Sequence, residues 1–134
     1  MVEIPEELIE QAKKVGIIHL ATASKEGIPN VAPMGAVLLR KDKILIANNF
    51  MNKTLANIKE NPQVSVLVWN REIGNCFQLK GTAEIMRDTP EHNEMRQMLE
   101  IKKPGAYPCK DLIVITVKYI FTCMPGANAG AKIY

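Results

Sequence analysis

The stretch "NFMNKTLANIKENP", residues 49–62, sets a cation and a hydroxyl, Lys53 and Thr54, in the first turn of a short predicted helix. Asn61–Pro62 ends that helix, because the residue before a proline is pushed out of the helical region. The first N–H groups of a helix lack intrahelical acceptors and carry partial positive charge, so a phosphate is readily held there. Asn52 reads as the N-cap. Lys53 would add a full charge, and the Thr54 hydroxyl a neutral donor to a phosphate oxygen. Leu55 and Ile58, at helical spacing, would bury one face and fix this turn against the fold. The plainer reading of the same residues is a capped surface helix that holds nothing.

Two neighbouring stretches bear on that choice. Asn48 and Asn49 close a predicted strand over 44–48 directly before the helix. Their amides both donate and accept, which suits the imide edge or the ribityl hydroxyls of a flavin. Pro33-Met34-Gly35 interrupts a longer predicted strand over 28–40. A proline and a glycine in mid-strand leave backbone groups unpaired and let a flat ring approach closely. Without a ligand the same pair reads as an edge bulge.

The elements that must position these residues follow from periodicity. Pro5 opens a first helix at its N1 position, with Glu6 and Glu7 at the positive end, Leu8, Ile9, Ala12 and Val15 on one face, and Gly16 as a stop. "IIHLATAS" (17–24) and "ILIAN" (44–48) read as strands. "QVSVLVWN" (63–70) is apolar on both faces, which predicts a deeply buried strand. In 75–86, Phe77, Leu79, Ala83 and Ile85 alternate with Gln78, Lys80, Thr82 and Glu84. Thr89 and Pro90 are N-cap and N1 of another helix, whose buried stripe is Met95, Met98 and Leu99. A last strand covers 111–121, followed by a small-residue tail. Six strands with tight turns and few helices predict a mostly β fold: an antiparallel six-stranded barrel with peripheral helices, in one domain over 1–134.

Composition removes several classes of function. The net charge of +3 is spread along the chain, and seven aromatic residues are too few for a set of base-stacking platforms, so no nucleic acid is expected. No apolar run approaches the ~20 residues of a membrane span, and no basic and apolar leader opens the sequence. The expected location is cytoplasmic. Cys76, Cys109 and Cys123 form no C-x-x-C pair, so they are expected as reduced thiols, with neither a disulfide nor a metal site. His19, in an apolar strand, and His92, in a first helical turn, read as structural or solvated residues rather than haem ligands.

The succession "LATASKEGIPNVAPMGAVLL", "ILIANNFMNKTLANIKENPQVSVLVW" and "FQLKGTAEI" resembles the FMN-binding split-barrel superfamily, which includes the pyridoxamine-phosphate-oxidase-like proteins, small FMN-binding proteins and flavin reductases. The resemblance spans residues 17 to 120. It implies that Asn52, Lys53 and Thr54 hold the FMN phosphate. Pro33, Met34, Gly35 and Ala36 would lie along the isoalloxazine, with Asn48, Asn49 and Met51 contributing from the strand end. It implies a homodimer with each flavin between subunits, the partner's share coming from near Cys76 and from the tail at 125–130. Departures from the pattern argue against oxidation of pyridoxamine phosphate itself: Lys53 has no arginine beside it, and "ANAGAKIY" carries neither Trp nor Arg. The expected function is a flavin oxidoreductase passing hydride or electrons between a nicotinamide or other donor and a small acceptor, with no catalytic side chain identified. The alternatives are a non-catalytic FMN electron-transfer module and a relative that binds the deazaflavin F420.

Overall fold

A computed structural model describes all residues, 1–134, as seven strands and three helices. In chain order these are α1 (Glu6–Val15), β1 (Ile18–Ala23), β2 (Pro29–Met34), β3 (Val37–Leu39), β4 (Ile44–Asn48), α2 (Lys53–Glu60), β5 (Gln63–Asn70), β6 (Asn75–Met86), α3 (Pro90–Lys102) and β7 (Asp111–Thr122). All pairings are antiparallel, in the order β2-β1-β5-β6-β7-β4-β3.

That order forces the sheet to curl. β2 and β3 stand at its opposite edges, yet only Gly35 and Ala36 separate them in the chain. In a flat sheet the edges would lie about 29 Å apart, at ~4.8 Å per strand. Three Cα–Cα steps from Met34 to Val37 reach at most about 11 Å. The edges therefore come round to face one another without pairing, and the result is a split barrel. The predicted strand over 28–40 is thus two strands, which accounts for seven in place of six.

Nineteen buried residues fill the barrel interior, among them Leu20, Ile44, Ile46, Val66, Val68, Phe77, Leu79, Ile113 and Ile115. Three of the nineteen, Leu8, Ile9 and Ala12, come from α1, and Gly16 ends that helix at φ +76°. Pro5 sits at the N-cap rather than at N1. A second cluster lies outside the barrel, where Met95 and Leu99 of α3 pack on Leu45, Ala47, Leu112 and Val114. β4 is buried along its whole length because one face serves each cluster. Arg40–Glu94 and Lys43–Glu91 ion pairs tie the β3–β4 turn to α3.

Two readings change in three dimensions. β5 is not buried on both faces: Val64, Val66 and Val68 point inward, whereas Leu67 is half-buried and Trp69 exposed on the outside. And Cys76 is not a free thiol but is disulfide-bonded to Cys123, their Cα atoms 5.2 Å apart. Registry brings them together: Phe77 pairs with Thr122, and the Cys123 N–H donates to the Cys76 carbonyl at 2.9 Å. Spacing along the chain carries no trace of that juxtaposition. Cys109 is the one free cysteine; burial pushes its thiol above the ordinary range.

Candidate functional site

The split opens into a cleft of about 480 Å³, within the range of small-ligand pockets. One wall is the end of β2 and the link to β3, with Ala32, Pro33, Met34, Gly35 and Ala36. The other is the loop from β4 into α2, with Asn49, Phe50, Met51, Asn52, Lys53 and Thr54. The curl of the sheet is what unites these walls, since β2 and β4 are not neighbours in it.

The mouth of α2 is unsatisfied. The first helical bond runs from the Ala56 N–H to the Asn52 carbonyl, and Asn52 makes no side-chain cap. The backbone N–H groups of Asn52, Lys53, Thr54 and Leu55 consequently have no protein acceptor. Asn52 stands at the N-cap position without capping, and the donors it would have satisfied remain free at the cleft. Thr54 is buried, and its Oγ1 accepts from Asn30 Nδ2 at 3.3 Å, which leaves the hydroxyl proton to donate. Lys53 is exposed at the rim and in no ion pair. α2 is anchored by Ile58 in the barrel core and by Asn57 Nδ2 donating to Thr22 Oγ1 at 3.0 Å. On the opposite wall a Cβ added to Gly35 would meet no protein atom within 4 Å, so the backbone there faces open space.

Of the residues singled out in the sequence, Pro33, Met34, Gly35, Ala36, Asn49, Met51, Asn52, Lys53 and Thr54 line this cleft. Asn48 does not. It is 2% exposed and turned inward: its Nδ2 donates to Asp111 Oδ2 at 3.0 Å, and its Oδ1 accepts the Met51 N–H at 3.0 Å. Asn30 also lines the cleft and carries no signal in the sequence, because its β-strand position announces nothing about the helix it meets. Cys76 and residues 125–130 lie away from the cleft of their own chain; the tail folds back on β7 through a Phe121–Lys132 bridge.

The histidines are elsewhere. His19 is exposed on the outer face of β1, opposite Pro33. His92 is fully buried: its Nδ1 accepts from the Asp88 N–H at 2.9 Å, which leaves Nε2 to donate to the Cys109 carbonyl at 2.7 Å. No cluster of His, Cys, Asp and Glu is arranged to hold a metal ion.

Free helical N–H donors on one wall and a glycine-containing strand link on the other, brought together by the curl of the sheet, define a split-barrel protein with an open cleft. The family described as pyridoxamine 5'-phosphate oxidase matches residues 4–124, and the chain belongs to it. An uncharacterised protein of Methanocaldococcus jannaschii is 37% identical over 99% of this chain and 89% of its own. Among solved structures, HupZ of Group A Streptococcus superposes with a TM-score of 0.79 at 25% identity, covering 95% of this chain and 99% of that one. An FMN-binding protein of Syntrophomonas wolfei (TM-score 0.68, 19% identity, 90% and 88% coverage) shares the fold. So does the haem storage protein HutZ of Vibrio cholerae (0.68, 16%, 91% and 95%).

Proposed function

We propose that the chain is an FMN-binding flavoprotein, an oxidoreductase passing hydride or electrons between a nicotinamide or other donor and a small acceptor. The observation that carries this reading is the set of unpartnered N–H groups at Asn52–Leu55, beside Lys53 and across from the Pro33–Ala36 backbone. Asn52, Lys53 and Thr54 would hold the phosphate, and the Pro33–Ala36 link would lie along the ring, with Asn49 and Met51 between them. Bound FMN supplies the redox chemistry. The chain's own part is to bind, orient and exclude water, since the cleft lining offers amides, a hydroxyl and one ammonium but no carboxylate or imidazole. With Lys53 as the single cation there, a second phosphate, as on pyridoxamine phosphate, has no further charged partner in the cleft lining.

Haem is the competing ligand that the likeness to HutZ raises. The lining contains no His, Cys or Tyr, and both nitrogens of His92 are engaged, so within the protomer only the thioethers of Met34 and Met51 could reach a haem iron there, which favours the flavin.

The outer sheet face supports a homodimer with the flavin at the subunit interface. Val31, Trp69 and Tyr119 are 65%, 53% and 50% exposed there, next to Leu67 and Phe121. Strand register sets Val31 and Tyr119 in one row with Ser65 and Lys80 between them, and Leu67 and Phe121 in the next with Gln78 between them, a mixed surface of apolar and polar residues that a second copy would cover. No helix is long and apolar enough to cross a membrane. The redox state of Cys76–Cys123 in the cell tests the expected cytoplasmic location, because structural disulfides persist mainly in oxidising compartments.

The experiment is a visible absorption spectrum of the purified protein, with identification of whatever heat releases. FMN near one per chain supports the reading. A single band of a deazaflavin, a haem Soret band, or a colourless protein that takes up no added FMN would each sink it. Turnover of NAD(P)H at the bound flavin then separates the oxidoreductase from a non-catalytic electron carrier.

A further inference from the structure

The loop that faces the cleft hangs from a polar chain that none of its own residues announces. Asp111, 4% exposed at the start of β7, receives Arg87 on one carboxylate oxygen: Nε at 2.8 Å and Nη2 at 2.7 Å, both to Oδ1. Its Oδ2 receives Asn48 Nδ2, and Asn48 Oδ1 in turn accepts the Met51 N–H. The Asn48 carbonyl takes the Lys110 N–H at 2.8 Å, and Asn49 Oδ1 takes the Cys109 N–H at 2.9 Å. The segment between β4 and α2 is therefore fastened at both asparagines to the segment that enters β7.

The polarity of this chain is fixed. A carboxylate only accepts and a backbone N–H only donates, so Asn48 must present its NH₂ to Asp111 and its oxygen to Met51. An amide offers a donor on one side and an acceptor on the other without taking up a proton, as an acid of the same size would have to. A carboxylate in place of the Asn48 amide would set two carboxylates face to face. An amide in place of the Asp111 carboxylate could keep Arg87 only by turning its own NH₂ toward that of Asn48.

We infer that Arg87, Asp111 and Asn48 are positioning residues for the anion-binding end of α2: they hold Met51 so that the free N–H groups of Asn52–Leu55 stay directed into the cleft. For its ligand the inference rests on the flavin reading above, but the positioning itself belongs to the unliganded chain. Arg87 is two-thirds exposed, so its contribution is to keep Asp111 ionised and oriented rather than to seal the site.

The bonding pattern specifies its own rescue. Exchanging the two residues, Asn48→Asp with Asp111→Asn, restores every bond, with the polarity reversed only between positions 48 and 111. The carboxylate now carried by β4 accepts both the Met51 N–H and the NH₂ of the amide now carried by β7, and the oxygen of that amide still accepts Arg87. The test measures hydrogen exchange at the Met51 amide and FMN dissociation by flavin fluorescence, in wild type, both single variants, the double exchange and Arg87→Gln. Each single variant is expected to speed Met51 exchange at least tenfold and to weaken FMN about tenfold. The double exchange should return both to within about threefold of wild type, with amides of β5 unaffected throughout. Ile120→Ala, a truncation in the barrel core at the end of β7 far from Asp111, controls for lost stability and should leave the Met51 amide ranking unchanged. Single variants that leave Met51 exchange unchanged, or an exchange pair that recovers thermal stability but neither loop readout, would overturn the inference. A wild type that takes up no FMN but shows the exchange pattern would instead overturn the flavin reading and leave the positioning standing.

Discussion

Gly81→Ala tests the architecture that brings the two cleft walls together. Gly81 is buried on β6, opposite a bulge in β7: Lys80 pairs with Tyr119 but Gly81 with Val117, so Lys118 is the extra residue. A Cβ added at 81 would sit 1.9 Å from the Thr116 carbonyl oxygen, 2.8 Å from its carbon and 3.0 Å from the Val117 Cα. These are backbone atoms, with no flexible side-chain end to swing aside. Relief to a contact near 3 Å requires the strands to part by about 1 Å, which a ladder hydrogen bond of ~2.9 Å does not survive. Losing two such bonds costs about 2 kcal/mol, and forcing a methyl into a packed core another 1–3 kcal/mol. A loss of about 3–5 kcal/mol in a chain of this length lowers Tm by roughly 11–18 °C. Calorimetry of wild type and Gly81→Ala makes the measurement, with Gly35→Ala beside it, since a Cβ at Gly35 meets nothing within 4 Å. Gly35→Ala should hold Tm within about 2 °C. A Gly81→Ala protein melting within about 2 °C of wild type would refute the close-approach argument.

Further outcomes are expected. Lys53→Ala should weaken FMN by about 1.5 kcal/mol, roughly tenfold, the low end for a charge-assisted bond because the lysine is exposed, and titration at several salt concentrations would show the loss shrinking as ionic strength rises. Burial alone would raise the Asp111 carboxyl, but hydrogen bonds from Asn48 and Arg87, and the Arg87 charge, outweigh it and hold the carboxyl below its ordinary value. Its stabilisation is therefore complete above the unfolded pKa of about 3.9 and fades as pH falls through the lower folded value, so acid unfolding of Asp111→Asn should show a shallower dependence below about pH 4. Reduction of Cys76–Cys123, which closes 47 residues of sequence separation, should cost up to about 4 kcal/mol by chain entropy, read as a lower denaturation midpoint. Thiol titration of the native, unreduced protein should find Cys109 unreactive until the chain unfolds.

Much of the candidate site is legible in the sequence because its signals are local. Lys53 and Thr54 follow a strand and precede a stopped helix, and Pro33-Met34-Gly35 breaks an apolar strand; each is a statement about adjacent residues. Alternation likewise marks the inward set of β6, and Thr89-Pro90 the start of α3, where the Thr89 hydroxyl accepts the His92 N–H. What depends on residues far apart in the chain cannot be read this way. Asn48 resembles a ligand-facing amide because it ends a strand beside the helix; only the approach of Asp111, 63 positions later, turns it inward. Cys76 and Cys123 carry no pairing signal, since strand register and not spacing brings them together. The outward face of β5 reads as buried because Leu67 and Trp69 are apolar, and apolar character does not tell a core face from a surface that a partner covers. The sequence by itself determined the elements and which short stretches could bind an anion. The tertiary structure decided that β2 and β3 part to opposite edges and curl back, and that closure, a consequence of pairing between distant strands, sets the Pro33–Ala36 backbone across a cleft from the free end of α2.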